Sequence, residues 1–400
     1  MKPLAITGVG VVSPLGVGRA ALESAFSDPD AARERAFAGT STVLDPTKHP
    51  DTLVAEVWGY DPNEHLGDKG HRNLDRLTKY LITAGKLALE DAGVKRGKEF
   101  VSTLKPEQVG VCSSTAYGSL DSITELNLVA ELEDPRYINP ARFPNTVINA
   151  AAGYVSIWED LRAPNATIVD GNCGALDAVL AAETHLAHRR ADALLVGGGD
   201  VLTEPLTLAL RRLGAVAQKD APWAPGERTS KGIRMGEGAA YLFVERDKDA
   251  TARGATVRAR LAGYATAFDP PRREGSLLHA SSAAVTRAVQ GALRDASLEA
   301  KDVDVVATAF GGLPPFDAAE RAGLAEVFGD RACLAMTKAI WGESFAGSPA
   351  LAMASAVSWI EGANVAPLAS GSAAAPARVE HVVVTAVGYY GNVSAVVVSR

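Results

Sequence analysis

The sequence predicts an α/β fold made of two similarly ordered halves, and three observations carry that prediction. Short apolar runs rich in β-branched residues, bounded by glycine, alternate with stretches of helical periodicity, the pattern of buried sheets covered by helices. The same order of strand and helix signals runs twice, the second pass starting near residue 255, as in a duplication too diverged to show as identity. The 400 residues, 47% hydrophobic and 22% charged, suffice for two core-forming units at about 150 residues each.

In chain order, Leu4 to Val12 reads as a first strand rather than a signal peptide, since it mixes glycines with β-branched residues and has no small-residue cleavage site. Asp75 to Ala92 has helical spacing and stops at Gly93, a C-terminal cap signal. Strands follow at Val109 to Ser114 and Ala166 to Val169, then a helix from Ala175 to Arg190, then a strand from Ala193 that Gly197 to Gly199 should end. The second pass gives strands at 259–264, 304–309, 382–387 and 395–399, with helices at 281–296, 317–328 and 348–362. Residues 221–232 and 366–376 read as exposed loops. The halves divide as 1–253 and 254–400.

Composition excludes several classes. The net charge of −7 comes with no basic run that tracks phosphates, and the pairs Arg189-Arg190, Arg211-Arg212 and Arg272-Arg273 read as solvated faces, so nucleic acid is not an expected partner. No segment approaches the roughly 18 uninterrupted apolar residues of a membrane span. Three scattered cysteines, Cys112, Cys173 and Cys333, fit a reducing cytoplasm, and no zinc spacing is present. No metal or cofactor is expected.

Asp170-Gly-Asn-Cys-Gly-Ala-Leu-Asp177 raises the question of a catalytic thiol, because a cysteine between a strand and a helix N-terminus can be activated. Such a thiol needs a base and oxyanion donors on neighbouring turns. The seven histidines fall elsewhere, and His185 and His188 read as a helix face rather than a metal pair. The turns that leave strands toward a site, Ala309 to Pro314 and Gly388 to Asn392, hold no acid or base. Glu237 reads as a structural anchor for backbone N–H groups. Lys338 is either a surface residue or buried against Asp317 or Glu320, and the sequence leaves both open. Cys173 alone reads as a small buried residue.

Four marks in order resemble the β-ketoacyl synthases, the condensing enzymes of the thiolase fold. They are Ile6-Thr-Gly-Val-Gly-Val-Val-Ser-Pro-Leu-Gly16, Ala191-Asp-Ala-Leu-Leu-Val-Gly-Gly-Gly199, Gly236-Glu-Gly-Ala239 before a strand, and Thr337-Lys338 before a Gly-containing helix start. The resemblance spans nearly the whole chain. It implies two duplicated βαβαβ-type halves in a five-layer α-β-α-β-α arrangement, and a dimer that acts on acyl carrier proteins.

At the chemistry the resemblance fails residue by residue. The family's nucleophilic cysteine falls at Asn172, one residue before Cys173, and one residue on a helix is about 100° of rotation. Cys173 is therefore expected to pack against the dimer side of the helix start. The two family histidines fall at Ala309 and Glu343, while Lys338, Asp317 and Glu320 remain. Cys173-Gly-Ala-Leu-Asp-Ala-Val179, Thr266-Ala-Phe-Asp-Pro-Pro271, Asp302-Val-Asp-Val-Val306 and Phe316-Asp-Ala-Ala-Glu320 look like the chain length factors of type II polyketide synthases. The resemblance implies a heterodimer with an active ketosynthase, an acyl carrier protein as partner, and a tunnel gate at Leu120, Ile123 and Asn127 on one helix with Phe143 and Pro144 on the next loop.

Two other readings stay open at this level. One is a malonyl-carrier-protein decarboxylase or acyltransferase using the remodelled pocket, with an amide at Asn172 as donor to a thioester carbonyl or with Cys173 as acyl acceptor. The other is a homodimeric scaffold.

Overall fold

The computed structural model describes residues 1–271 and 278–400, so Arg272-Arg273 lies outside the described residues. Among the described residues ten strands form the main path of one sheet, with Gly16–Val17 paired beside its first strand. The first half holds β1 (Leu4–Ser13), β2 (Val109–Ser114), β3 (Asn165–Ile168), β4 (Ala193–Asp200) and β5 (Gly238–Arg246) in the order β3-β2-β4-β5-β1. The second holds β6 (Ala259–Phe268), β7 (Val305–Ala307), β8 (Leu334–Ala335), β9 (His381–Val387) and β10 (Asn392–Ser399) in the order β8-β7-β9-β10-β6. Numbered within each half, both read 3-2-4-5-1. Both also have the first three strands of that order mutually parallel and the last two pairings antiparallel. The halves join where Leu4 to Ile6 of β1 pair with Ala259 to Leu261 of β6.

The duplication extends to a backbone irregularity. β1 shifts register between Ile6 and Gly8, and β6 shifts between Leu261 and Gly263. A Cβ at Gly8 would overlap the Ala88 carbonyl oxygen, and one at Gly263 would overlap that of Ala292. Each bulge therefore lets a helix lie directly on its strand through a glycine. Those helices are α1 (Arg76–Asp91) and, in the second half, α6 (Ser282–Ala296), defined with the others below.

The remaining helices are α2 (Leu120–Leu128), α3 (Ala150–Glu159), α4 (Gly174–Ala187), α5 (Glu204–Arg212), α7 (Pro314–Phe328) and α8 (Gly347–Ile360). α1 begins at Asp75, whose side chain accepts from Thr78 N at 2.7 Å, and ends before Gly93 at φ 65°. α8 is buried at all fourteen positions, which only the middle of a layered fold permits. With α4 it lies between the two halves of the sheet, in an apolar core that includes Leu176, Val179, Leu351 and Trp359. α1 and α3 cover the outer face of the first half, and α6 and α7 that of the second. The result is the five-layer α-β-α-β-α thiolase-like arrangement.

Three expectations need correction. Gly197 to Gly199 do not end β4 but carry it to Asp200, because β2 runs so close that any side chain at Gly198 would strike the Ser114 backbone. Residues 221–232 form a loop but a half-buried one, in which Trp223 stacks edge-on against Phe37 and lies under Arg234. The helices Arg19–Ser27, Pro29–Ala36 and α3 were not anticipated, since short Ala-rich stretches carry little periodicity. Among the described residues no helix is long and apolar enough to cross a membrane.

Candidate functional site

Asn172 sits in the 3₁₀ turn Gly171–Cys173 that links β3 to α4. It is 4% exposed and faces a cavity shared with Ala309, Glu320, Lys338, Glu343 and Tyr389. Both halves contribute, so the cavity lies where the C-terminal ends of β3, β7 and β9 converge on the start of the short helix Lys338–Trp341. The three degenerate positions read from the sequence, Asn172, Ala309 and Glu343, therefore meet with Lys338 in one place. None of the seven histidines lines it.

Cys173 points elsewhere. Its thiol donates to the Ala386 carbonyl at 3.4 Å, on β9, and its side chain belongs to the central core. It is thus packed against β9 and β10 rather than on the dimer side of the helix start, because the rotation from Asn172 carries it into the sheet. Complete burial, then nearby Asp177, push the thiol well above its ordinary pKa. A buried, protonated thiol of this kind is a packing group.

Lys338 is buried, 5% exposed, but its partner is neither Asp317 nor Glu320. Its Nζ lies 2.6 Å from Glu343 Oε2, and the other Glu343 oxygen accepts from Phe345 N at 2.8 Å and Ser348 Oγ at 2.9 Å. Glu343 is therefore a counter-charge to the one lysine that lines the cavity. Asp317 accepts instead from the backbone N–H groups of Gly226 at 2.7 Å, Gly311 at 3.0 Å and Gly312 at 2.9 Å, clamping the loop after β7. Glu320 accepts from Ala309 N at 2.8 Å and Thr385 Oγ1 at 2.5 Å, and burial raises its carboxyl to about 7.

Tyr389, in the Gly388 to Asn392 turn, was overlooked by a search for acids and bases. The residue is half-buried, and its buried hydroxyl lies against Asn172 without a hydrogen bond of normal geometry. Burial and the neighbouring Glu343 raise its pKa. With this ring in place the cavity holds only about 10 Å³, scarcely the space for one water. No cysteine and no histidine is among the residues that line this cavity.

Glu237 behaves as an anchor. It accepts from Val57 N at 2.8 Å, Leu202 N at 3.2 Å, Tyr80 Oη at 3.0 Å and the Arg76 guanidinium. On the helix face that carries His185, His188 Nδ1 lies 2.8 Å from the Thr184 carbonyl oxygen. The gate positions lie apart from the cavity. Leu120 is half-buried in an apolar cluster with Leu202, Leu206 and Phe345, and Ile123 is half-buried on the same helix. Asn127, Phe143 and Pro144 are exposed, and an Arg142–Glu125 ion pair ties the Phe143-Pro144 turn to α2.

A second surface stands out. β3 is an edge strand with its outer side unpaired. Ile157 of α3 is 75% exposed, Val169 just beyond β3 is 51% exposed, and Leu180 of α4 is also exposed. Apolar side chains thus flank an open strand edge on both sides of the sheet, a combination that marks an interface.

Residues 1–250 match the β-ketoacyl synthase N-terminal domain family, and residues 258–372 match its C-terminal domain family. Among curated relatives, the 3-oxoacyl-[acyl-carrier-protein] synthase 2 of Coxiella burnetii is 30% identical, over 88% of this chain and 84% of its own. The tetracenomycin polyketide synthase ketoacyl synthase beta subunit of Streptomyces glaucescens is 29% identical, over 100% of this chain and 98% of its own. Among solved structures, the ishigamide ketosynthase/chain length factor superposes with a TM-score of 0.85 at 21% identity, covering 100% of this chain and 99% of the other.

Proposed function

The chain belongs to the β-ketoacyl synthase family, and from that premise we propose that it is a chain length factor, the non-condensing partner of an active ketosynthase in a type II polyketide synthase. One observation carries the proposal. The pocket where the family's chemistry belongs holds Asn172, Ala309 and a Lys338–Glu343 ion pair 2.6 Å apart, in about 10 Å³ of free space. The likeness to a relative named as a beta subunit supports the same reading.

In this reading the partner ketosynthase supplies the cysteine and both imidazoles, and an acyl carrier protein delivers the growing chain in the cytoplasm. The open β3 edge and its apolar flanks are the surface offered to that partner, since a paired edge satisfies the free backbone groups and buries Ile157, Val169 and Leu180. The chain grows into a tunnel shared across the interface, past Leu120, Ile123 and Asn127 and the Phe143-Pro144 turn. Their size sets how far it extends.

The decarboxylase and acyltransferase readings need a malonyl thioester beside Asn172. The filled cavity opposes both, and the burial of Cys173 opposes an acyl-cysteine.

Co-expression with the ketosynthase, followed by size exclusion and native mass measurement, tests the assembly. A one-to-one heterodimer is expected. A homodimer that persists in excess ketosynthase would instead make this chain a scaffold.

A further inference from the structure

Asp200, the last residue of β4, is 2% exposed and bridges two segments far apart in sequence. It accepts from Thr115 Oγ1 at 2.6 Å, from Ala116 N at 2.9 Å and from Tyr117 N at 3.3 Å, all in the loop that enters α2. It also accepts from Ala346 N at 2.9 Å, in the segment that follows Glu343. The side chains next to these anchor points are Tyr117 and Phe345. Their rings meet edge to face, with centroids 5.0 Å apart and planes at 87°.

Phe345 is held in the left-handed region at φ 47°, a conformation an aromatic residue seldom adopts and which persists only when its surroundings enforce it. The enforcing contacts are the Phe345 N–H on Glu343 at 2.8 Å and the Ala346 N–H on Asp200. Strained residues of this kind concentrate at functional sites. From Phe345 the rings continue to Tyr389 at 6.5 Å and then to Phe316 at 5.1 Å, so the stack runs from the mouth of α2 to the filled cavity. Leu120, one turn from Tyr117, packs in the same apolar cluster as Phe345. Phe345 is fully buried, whereas Tyr117, three residues before α2, is half-buried.

We propose that the Tyr117–Phe345 ring pair is the end wall met by an acyl chain that has passed Leu120, and that Asp200 is the positioning residue that fixes both rings. The inference rests on the chain length factor reading. The reasons are steric: two rings locked edge to face present a stiff apolar surface, and behind them the cavity is already filled by Tyr389. The wall makes extension past α2 a question of removing a ring, not of repacking a flexible side chain.

The test uses the heterodimer with its ketosynthase, malonyl-loaded carrier protein, and mass spectrometry of the released chains. Phe345→Gly removes one ring at a position whose φ suits glycine, and Tyr117→Ala removes the other. Each is expected to lengthen the longest product by at least one two-carbon unit. Asp200→Asn is expected to broaden the length distribution while total malonyl consumption stays within about twofold, a split that a purely structural loss does not give. Heterodimer content and Tm are recorded alongside, and Phe345→Gly decides the matter if Tyr117→Ala does not fold. Unchanged or shorter products from a folded Phe345→Gly heterodimer overturn the wall. A wild-type heterodimer that makes no product at all overturns the chain length factor reading itself.

Discussion

Lys338 and Glu343 are five positions apart and form a buried ion pair, with Nζ 2.6 Å from Oε2. Glu343 stands where the family resemblance puts an imidazole, and there it is a buried partner of the lysine. Its second oxygen orders the start of α8 through Phe345 N and Ser348 Oγ. The ion pair is therefore a structural element in its own right.

Removing the lysine tests this. Lys338→Met leaves a carboxylate buried without its cation, and a loss of about 3–5 kcal/mol is expected. Urea unfolding monitored by tryptophan fluorescence measures it. A loss under about 1 kcal/mol, the range of an exposed pair, would show that the pair is solvated in the folded chain.

The pH dependence of stability follows from the buried acids. Burial raises Glu320 to about 7 and Asp200 to about 6, each above its ordinary value. Between roughly pH 4 and 7 the folded chain therefore binds more protons than the unfolded one, and stability falls as pH rises through that window. Tm is expected to be higher near pH 5.5 than near pH 8 as far as these two groups govern it, and Glu320→Gln is expected to flatten the upper part of the slope. A Glu320→Gln profile parallel to wild type would contradict the assignment.

Much of this fold was legible in the sequence, because a buried strand and an amphipathic helix each impose a period on their residues. The doubled order of elements was readable for that reason, whereas the close approach of α1 and α6 to their strands at Gly8 and Gly263 was not, since it depends on a bulge that leaves no period in the residues. In the site, counting from Pro164-Asn165 and Gly197-Gly198, from Val327-Phe-Gly329 and from Lys338 singled out Asn172, Ala309 and Glu343, which line one cavity. The partner of Lys338 was missed because Glu343 was read as a missing histidine, not as a charge. Asp200 was invisible for another reason: its donors Ala116 and Ala346 are 84 and 146 residues away, and no local pattern announces backbone donors at such distances. Tyr389 was missed because nothing local in Gly388-Tyr-Tyr-Gly-Asn392 says which ring turns into the cavity.

The thiols are expected to be silent. All three cysteines are buried and none forms a disulfide. Iodoacetamide treatment of the native protein followed by intact-mass measurement should give no adduct, and the denatured protein should take up three. Native labelling confined to Cys173 would reopen the acyl-acceptor reading.

The β3 edge gives a further prediction. Ile157→Asp places a charge in the centre of the proposed partner surface, and heterodimer affinity should fall on the order of 100-fold, or about 2.7 kcal/mol. Because Ile157 is 75% exposed in the isolated chain, far-UV circular dichroism and Tm should hardly change. Unaltered affinity by analytical ultracentrifugation would move the interface to another face.

The central claim is that this chain shapes a condensation it does not catalyse. Chain formation by the reconstituted heterodimer carrying Asn172→Ala, with malonyl-loaded carrier protein, measures it most directly. The account predicts product formed within about twofold of the wild-type rate, since removing a group that plays no part in the transition state leaves kcat unchanged. Loss of product with the heterodimer intact would give Asn172 a part in the chemistry and contradict the account.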